Sequence, residues 1–194
     1  SPLMKQIILA STSPRRKEIL EKTGLAFTVE ESNYEEDMSL ALPLEELAKY
    51  LSLGKAQAVA KKHTNAIIIA ADTFVVFEDK ILGKPHTPEK AREMLKLVNG
   101  KRNTIITGIT MIDTDTNTVK SFTSKADIYL KYLSDSEIDN YIASGEPLDK
   151  AGAYAIQGLG AVFVEKIDGD FFGVMGLPIV QVVERLKEFG VNVL

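Results

Sequence analysis

Cysteine and tryptophan are both missing from this sequence. Without cysteine the chain can form neither a disulfide framework nor a thiolate metal site. Histidine is scarce, with 2 residues in 194, which is too few for a histidine-based zinc site. No apolar run approaches the roughly 20 residues that a membrane-spanning helix needs. We therefore expect no disulfide, no zinc centre and no membrane partner.

An excess of positive charge is also lacking. The chain has 23 basic and 27 acidic residues and a net charge of −4, so no global positive field favours binding to nucleic acid or to an anionic membrane. No signal peptide is visible, which makes the cytoplasm the default location. We interpret Ser1-Pro2-Leu3, ahead of Met4, as a tail left by cloning. The expectation is one domain over residues 4–194.

The most informative stretch is the apolar run from Ala66 to Phe77. Its β-branched residues and its lack of helical periodicity predict a strand that is buried on both faces. Asp72 lies in the middle of this run. A buried carboxylate needs a cation, a metal or a hydrogen-bond donor opposite it. The alternative is that Asp72 caps a bend where Ala70-Ala71 interrupts the strand.

A second signal lies near the amino terminus, where a short apolar strand over residues 5–10 leads directly into a helix. Ser13 before Pro14 is typical of a helix N-cap followed by proline at the first position. The free N–H groups at such a helix start favour an anion. Arg15 and Arg16 oppose the helix dipole unless something negative binds there. An ordinary strand–turn–helix with solvated arginines is the alternative.

Two further segments carry charged residues that have two alternative interpretations each. Residues 34–37 form an acidic loop that includes Glu36, and such loops are either solvated or metal-binding. Residues 43–62 predict a long amphipathic helix in which Lys55 falls close to the apolar stripe. Lys55 either extends from the edge of that stripe to solvent or points into a cleft.

The rest of the chain alternates strands, helices and turns. Residues 103–113 and 119–132 predict a hairpin, and the pair Ser134 and Glu137 predicts a capping box that opens a helix ending near Ala143. Residues 146–160 are rich in glycine and small side chains, which suits either a ligand-binding loop or a plain loop. A last hairpin is predicted over 161–167 and 171–175, followed by a helix over 178–189.

Polar residues collect at the ends of these elements. They are Ser11, Ser13, Arg15, Arg16, Glu36, Lys55, Asp72, Lys84, Asp149, Lys150 and Gln157. Cations beside a helix N-terminus suit a polyphosphate, and carboxylates near phosphate oxygens suit Mg²⁺ or Mn²⁺. Neither a P-loop nor a dinucleotide fingerprint follows a strand. The residues alone indicate an anionic, phosphorylated ligand.

The chain resembles the Maf family of nucleoside triphosphate pyrophosphatases from Met4 to the last helix. The resemblance is carried by Leu9-Ala10-Ser11-Thr12-Ser13-Pro14-Arg15-Arg16, Glu36, Lys55-Ala56, Ala71-Asp72-Thr73, Gly83-Lys84-Pro85, Asp149-Lys150-Ala151-Gly152-Ala153-Tyr154, Ile156-Gln157-Gly158 and Gly176-Leu177-Pro178. It implies an α/β fold with an elongated, bent mixed sheet flanked by helices and a cleft between two lobes, as in the inosine triphosphate pyrophosphatases. It also implies hydrolysis between the α- and β-phosphates, which releases pyrophosphate.

Three positions point to one branch of that family. The branch that prefers dTTP and UTP has Arg after Ser-Pro, Thr after the Asp and Gln before the Gly, and this chain has Arg15, Thr73 and Gln157 there. A branch resembling 7-methyl-GTP pyrophosphatases has Trp, Gln and Glu at those places, and the chain matches none of them.

The resemblance also assigns roles. Asp72 is expected to accept the proton of the attacking water, with Glu36 and Asp72 as ligands of Mg²⁺ or Mn²⁺. Arg16, Lys55 and Lys84 are expected to hold the triphosphate, and the remaining substrate contacts are Ser11, Ser13, Arg15, Thr73, Asp149, Lys150 and Gln157. A homodimer is expected. The alternative function is a non-catalytic nucleotide-binding regulator of septum formation, and modified pyrimidine nucleotides are alternative substrates.

Overall fold

The computed structural model describes residues 4–194, so the tail at residues 1–3 lies outside the described residues. The chain forms two compact units. The first contains the residues up to Thr73 together with Ile106–Ser124 and Asp170–Leu194, and the second contains Phe74–Ile105 and Lys125–Gly169. That both units act as one domain over residues 4–194 stays a prediction.

Helices and strands alternate along the described chain. The strands are β1 (Gln6–Leu9), β2 (Thr28–Val29), β3 (Ala66–Phe77), β4 (Lys80–Leu82), β5 (Arg102–Asp113), β6 (Thr118–Leu130) and β7 (Val164–Gly169). The helices are α1 (Pro14–Glu21), α2 (Leu44–Ala60), α3 (Pro88–Val98), α4 (Asp135–Ala143), α5 (Phe171–Val174) and α6 (Ile179–Glu188). Short 3₁₀ segments span Glu146–Asp149, Ala151–Ala153 and Leu159–Phe163.

The strands form a mixed sheet in the order β2-β1-β3-β5-β6-β7, and β4 pairs with β3. Strand β1 is parallel to both β2 and β3. The β3–β4 and β6–β7 pairs are antiparallel. Parallel strands need a crossover connection, and α1 and α2 lie within the connections among β1, β2 and β3. The expected α/β class with a mixed sheet flanked by helices is confirmed.

The part of strand β3 that precedes Phe74 is the core of the first unit. Every residue of β3 is buried except Thr73, which is half-buried. Its inner part packs with β1 and with the apolar face of α2 in one hydrophobic cluster. Helix α2 also lies close to β5, because a Cβ added at Gly108 would meet the backbone of Ala48 and lie 2.8 Å from the backbone nitrogen of Lys49. The missing side chain of Gly108 thus allows α2 to pack directly on the sheet.

The second unit is organised by α3 and α4. The side chain of Asn99, at the end of α3, donates to the carbonyl of Leu133 at 2.9 Å and accepts from the amide of Leu133 at 2.7 Å. The next helix, α4, begins with the expected capping box of Ser134 and Glu137. Tyr141 packs edge-to-face on Phe163, with ring centroids 4.9 Å apart. The Tyr141 hydroxyl also donates to the Glu146 carboxylate at 2.5 Å and accepts from the Ala155 amide at 3.0 Å, which holds residues 146–160 against α4.

Two expectations are wrong. Strand β3 runs without interruption through Ala70-Ala71, so Asp72 does not cap a bend. The last hairpin does not form, because the Asp170 carboxylate accepts from the Gly173 amide at 3.1 Å. This N-cap starts helix α5 over Phe171–Val174, and β7 pairs instead with Ala126–Leu130 of β6.

Within residues 4–194, no helix is long and apolar enough to cross a membrane.

Candidate active site

The turn between β1 and α1 is built by its own serine hydroxyls. The Ser13 amide donates to the Ser11 hydroxyl at 3.0 Å. The Arg16 amide donates to the Ser13 hydroxyl at 3.3 Å, so Ser13 is the N-cap that the sequence predicts. Because Pro14 has no N–H, this cap and the proline leave few unpaired donors in the first turn. The turn places Arg15 and Arg16 at the start of α1.

Arg16 is held by groups on both sides of its guanidinium. Its Nε donates to the Gly176 carbonyl at 2.8 Å, and its Nη2 donates to the Thr73 hydroxyl at 2.9 Å. Gly176 has φ +114°, and a Cβ there would lie 3.1 Å from Nε of Arg16. Glycine therefore admits both the backbone conformation and the arginine. Burial lowers the pKa of Arg16 from its ordinary value, and the neighbouring Asp72 opposes this.

A chain of hydroxyls continues from Arg16. The Thr107 hydroxyl donates to the Gly173 carbonyl at 2.8 Å. Since its proton is used there, the Thr73 hydroxyl must donate the 3.0 Å bond between the two threonines. Thr73 therefore accepts from Arg16 and donates to Thr107. The expected contact of Thr73 with the base stays a prediction. It would have to use the acceptor capacity that its hydroxyl oxygen has left.

The centre of the site is one ammonium between two carboxylates. Lys55 Nζ lies 2.7 Å from Glu36 Oε1 and 3.0 Å from Asp72 Oδ1. The side chains of Lys55 and Asp72 are 15% and 11% exposed, and that of Glu36 is 36% exposed. Lys55 therefore points into the site instead of extending to solvent, and the acidic loop is drawn onto α2.

Burial makes the ionised form of Asp72 less favourable. Removal from water raises the pKa of Asp72 above its ordinary value, Lys55 opposes that rise, and Glu36 adds to it. Its Oδ1 is paired with Lys55, but Oδ2 is buried and has no hydrogen-bond partner. A buried oxygen without a partner is costly and calls for an explanation.

A cavity of about 330 Å³ opens beside Lys55 and Glu36. Its wall is formed by the β1–α1 turn, by residues 31–34 and by the Arg16, Glu36 and Lys55 side chains. A pocket that offers the guanidinium of Arg16, the ammonium of Lys55, serine hydroxyls and the Glu36 carboxylate can bind phosphate oxygens and orient water.

The donor set also fits a divalent cation that is shared with a substrate. Residues 4–194 contain no group of three or more His, Cys, Asp or Glu side chains that could hold a metal by themselves. Mg²⁺ is ordinarily held by only one or two carboxylates together with waters and phosphate oxygens. Glu36 and Asp72 supply that number, and the unpartnered Oδ2 of Asp72 is an available ligand atom.

The other expected site residues lie in the second unit. Lys84 is exposed just after β4, and Lys150 Nζ lies 3.4 Å from Asp149 Oδ1. The Gly152 amide donates to the Gly83 carbonyl at 3.2 Å, which places the two lysine-bearing segments side by side. Gln157 is exposed in the turn that precedes Leu159–Phe163. Their contact with substrate stays a prediction.

Arg15 is exposed, and its Nη1 lies 3.9 Å from the sulfur of Met175. That contact leaves the guanidinium able to turn toward a ligand, and its role in reading the base stays a prediction.

Sequence reasoning assigned no role to several residues that shape the site. Thr107 closes the hydroxyl chain and Gly176 makes room for Arg16. Tyr34 lies on Gly54 of α2, one residue before Lys55. A glycine inside a predicted helix and a threonine inside an apolar strand are signals of close approach and of a buried hydrogen bond.

The chain is similar to known proteins over nearly its whole length. A family model described as Maf-like protein matches residues 6–189. A protein of Methanosarcina mazei named dTTP/UTP pyrophosphatase is 47% identical over 191 residues, which covers 98% of this chain and 97% of that protein. Proteins with the same name from Methanococcoides burtonii and Bacillus cereus are 48% and 46% identical, each over 98% of this chain and over 98% and 93% of their own lengths.

Among solved structures, the Ham1 protein of Staphylococcus aureus aligns with a TM-score of 0.47 and 16% identity, over 65% of this chain and 72% of that one. Similarity at this level adds nothing to what the sequence relatives show.

Proposed function

The chain belongs to the Maf family, and from that premise we propose that it is a nucleoside triphosphate pyrophosphatase that hydrolyses dTTP and UTP to the monophosphate and pyrophosphate. The relatives that carry this activity in their name cover 98% of the chain. The observation that carries the proposal is the buried Asp72 carboxylate, with Oδ1 on Lys55 and Oδ2 unpartnered, beside a cavity that Lys55, Glu36 and Arg16 line.

In the proposed reaction, Asp72 is the general base. It orients a water whose oxygen attacks the α-phosphorus, and it accepts the proton that this water loses. The bond between the α-phosphorus and the oxygen leading to the β-phosphorus breaks, and pyrophosphate leaves with that electron pair. A carboxylate with a raised pKa is a stronger base than an ordinary aspartate. Lys55 favours the ionised form and opposes the effect of burial on the pKa of Asp72.

The cations stabilise the charge that moves during this step. Arg16 is locked by Thr73 and Gly176, so it can meet a phosphate oxygen without losing conformational freedom. Lys55 and, by family resemblance, Lys84 add positive charge near the departing pyrophosphate. The Ser11 and Ser13 turn and the Asp149-Lys150 pair complete the proposed phosphate contacts.

We assign Glu36 and Asp72 as the carboxylates that hold Mg²⁺ or Mn²⁺. When bound, such an ion offsets phosphate charge and lowers the pKa of water. The support is the fit of two carboxylates to a cation that otherwise keeps water and phosphate ligands.

Base selection is assigned to Arg15, Thr73 and Gln157. The glutamine amide offers a donor and an acceptor, which matches the O4 and N3–H edge shared by uracil and thymine. Modified pyrimidine nucleotides share that edge and belong to the same proposed substrate class. We further propose that the protein acts in the cytoplasm as a homodimer, an assembly common among enzymes of this size. Light scattering at micromolar concentration tests the dimer, and a mass near the chain's own 21.3 kDa contradicts it.

Product analysis tests the activity. The purified protein is incubated with Mg²⁺ or Mn²⁺ and a nucleotide panel, with or without added inorganic pyrophosphatase. We expect dTTP and UTP to give monophosphate, and orthophosphate only when the second enzyme is present. Direct release of orthophosphate, or no turnover across the panel, overturns the proposal.

Two aspartate variants make this assay specific. Asp72→Asn should lose turnover, whereas Asp79→Asn makes the same chemical change at an exposed turn position and should not. If the wild type shows no turnover and the Asp72→Asn variant binds nucleotide normally, the non-catalytic regulator is the correct alternative.

A further inference from the structure

Glycine at position 54 is an anomaly within α2. Gly54 lies in the interior of a helix that spans Leu44–Ala60, where alanine is a better helix former. A Cβ added to Gly54 would lie 2.5 Å from Cε2 and 2.6 Å from Cε1 of Tyr34. The tyrosine ring therefore rests directly on the helix backbone, at a place where only glycine leaves room for it.

Tyr34 is also what attaches its own segment to the rest of the unit. Within residues 33–39, Tyr34 alone is half-buried, and the others are more exposed. Asn33 before it has φ +52°, a left-handed conformation that turns the chain at this point and that asparagine tolerates. Tyr34 lines two cavities, that of the candidate site and one of about 350 Å³ beside Tyr50.

The spacing of two neighbouring contacts links this ring to the site. Tyr34 meets Gly54, and two residues later Glu36 meets Lys55 at 2.7 Å. Two adjacent residues of α2, Gly54 and Lys55, thus contact two residues of the acidic loop that are two positions apart, Tyr34 and Glu36. The Glu36 side chain is 36% exposed, and its carboxylate pairs with Lys55. Its position depends on the backbone that the ring fixes.

We propose that Tyr34 packed on Gly54, the tyrosine anchor, positions Glu36 against Lys55 and thereby at the reacting phosphates. The inference rests on the proposed function, because it is the role of Glu36 there that makes its position matter. Tyr34 is a positioning residue that acts through Glu36, and Gly54 is the surface that receives it. Displacing the ring releases residues 33–37 and lowers the local concentration of the Glu36 carboxylate at the site.

A double-mutant cycle tests this coupling. Gly54→Ala displaces the ring, and Tyr34→Ala removes it. Each single variant should lower kcat/KM at least about fivefold, and the double variant should lower it no further, because the added methyl group has no ring to meet. Tyr34→Phe keeps the ring and should stay within about twofold of the wild type. Gln57→Ala, one turn further along the exposed face of α2, is the matched control and should leave the rate unchanged.

Two readouts separate positioning from a general loss of structure. Amide hydrogen exchange over residues 33–37 should speed up in Gly54→Ala and Tyr34→Ala but not in Tyr34→Phe or Gln57→Ala. The melting temperature of Gly54→Ala should not fall, since alanine favours the helix. Electron paramagnetic resonance of Mn²⁺ should show weaker binding in the two anchor variants, in the absence of turnover.

Several outcomes overturn the anchor. Unchanged exchange in Gly54→Ala, or losses of activity that add up in the double variant, would each show that the ring does not position Glu36. If the wild type releases no pyrophosphate, the proposed function fails. In that case the exchange and Mn²⁺ measurements still decide about the anchor by themselves.

Discussion

A carboxylate at position 72 lowers the stability of the strand that holds it. Asp72 is buried within β3, and its Oδ2 lacks a hydrogen-bond partner. The folded protein therefore binds a proton at Asp72 more readily than the unfolded chain does, which is what its raised pKa means. Keeping Asp72 ionised at neutral pH is destabilising, and such a cost is common where chemistry needs a reactive group.

The Asp72→Asn variant separates the contribution of Asp72 to catalysis from its cost in stability. We expect kcat/KM to fall by at least about a hundredfold, since a general base is removed, while the melting temperature at pH 7 rises. Because the raised pKa makes ionisation unfavourable to folding, the gain in stability should be full above that pKa. It should fade as the pH falls through it toward the unfolded value of about 3.9. Thermal melts of both proteins between pH 3 and pH 8 measure it.

A lower melting temperature for Asp72→Asn at neutral pH would contradict this view of Asp72, and Asp79→Asn serves as the control for the loss of one negative charge. In the wild type, the acid limb of the kcat/KM profile should lie above the pH range of an ordinary aspartate, in keeping with the direction of the pKa shift.

Gln157 offers a second test at the level of one side chain. A Gln157→Glu replacement removes the donor and sets acceptor against acceptor at a carbonyl of the base. An unpaired polar group costs about 1–3 kcal/mol, so kcat/KM for dTTP and UTP should fall at least about tenfold. A generic phosphodiester has no base to read, and its hydrolysis should fall much less. The measurement compares dTTP, UTP, CTP and GTP in both proteins.

An unchanged ranking of the nucleotides with unchanged dTTP and UTP rates would show that Gln157 does not face the base. Because Gln157 is exposed, loss of the fold is not expected to confuse the comparison, and equal melting temperatures check this.

At the scale of elements, N-cap residues in the sequence predict where α1 and α4 begin. The prediction is wrong for residues 171–175, where an N-cap overrides the strand propensity of the residues that follow it. Ser13 and the Ser134 capping box start α1 and α4 as the sequence predicts, because a side-chain acceptor at the N-cap acts locally. The apolar residues Phe171-Phe172 favour a strand by propensity, yet Asp170 caps them into helix α5. That helix matters to the site, because it offers the Gly173 carbonyl to Thr107.

The contact between β5 and α2 gives a test of how an element is placed. A Cβ at Gly108 would meet the carbonyl of Ala48, so Gly108→Ala must push α2 away from the sheet. Overpacking of this kind costs about 1–3 kcal/mol, and the unfolding free energy from denaturant titration should fall by that amount. Because α2 carries Lys55, kcat/KM should fall as well.

A matched substitution in an open position controls for the loss of glycine itself. Gly83 has no atom within 4 Å of its would-be Cβ and no positive φ, so Gly83→Ala should leave the unfolding free energy nearly unchanged. Equal stability of Gly108→Ala and the wild type would show that the sheet and α2 can move apart without cost.

At the scale of the whole molecule, the sequence predicts the elements better than the distances between side chains. Burial of β3 follows from its run of β-branched residues, and the family from many motifs in order. The pairing of Lys55 with both Glu36 and Asp72 joins three separate segments, and no periodicity encodes such a meeting. The hydroxyl chain from Arg16 to Gly173 is equally non-local. Glycine supplied a usable hint, since Gly54, Gly108 and Gly176 each mark a close approach.

Binding to the folded state provides the test that involves the whole chain. A dTTP analogue with a methylene group between its α- and β-phosphates cannot be cleaved at the proposed bond, so it should bind with Mg²⁺ and raise the melting temperature. At a concentration 100 times its dissociation constant, a ligand of the native state contributes about 2.7 kcal/mol. For a chain of this size that corresponds to a rise of about 5–10 °C. Differential scanning fluorimetry or calorimetry measures the rise.

The comparison that gives this experiment its meaning is between Arg16→Ala and Asp79→Asn. Arg16 is fixed by Thr73 and Gly176 toward the cavity, so its removal should abolish most of the ligand-induced rise, whatever it does to the melting temperature of the free protein. Asp79 is exposed in a turn and should leave the rise intact. A rise of equal size in both variants would place the triphosphate away from Arg16, and no rise in the wild type would contradict nucleotide binding. Because the rise depends on binding alone, it also identifies a chain that binds dTTP without cleaving it.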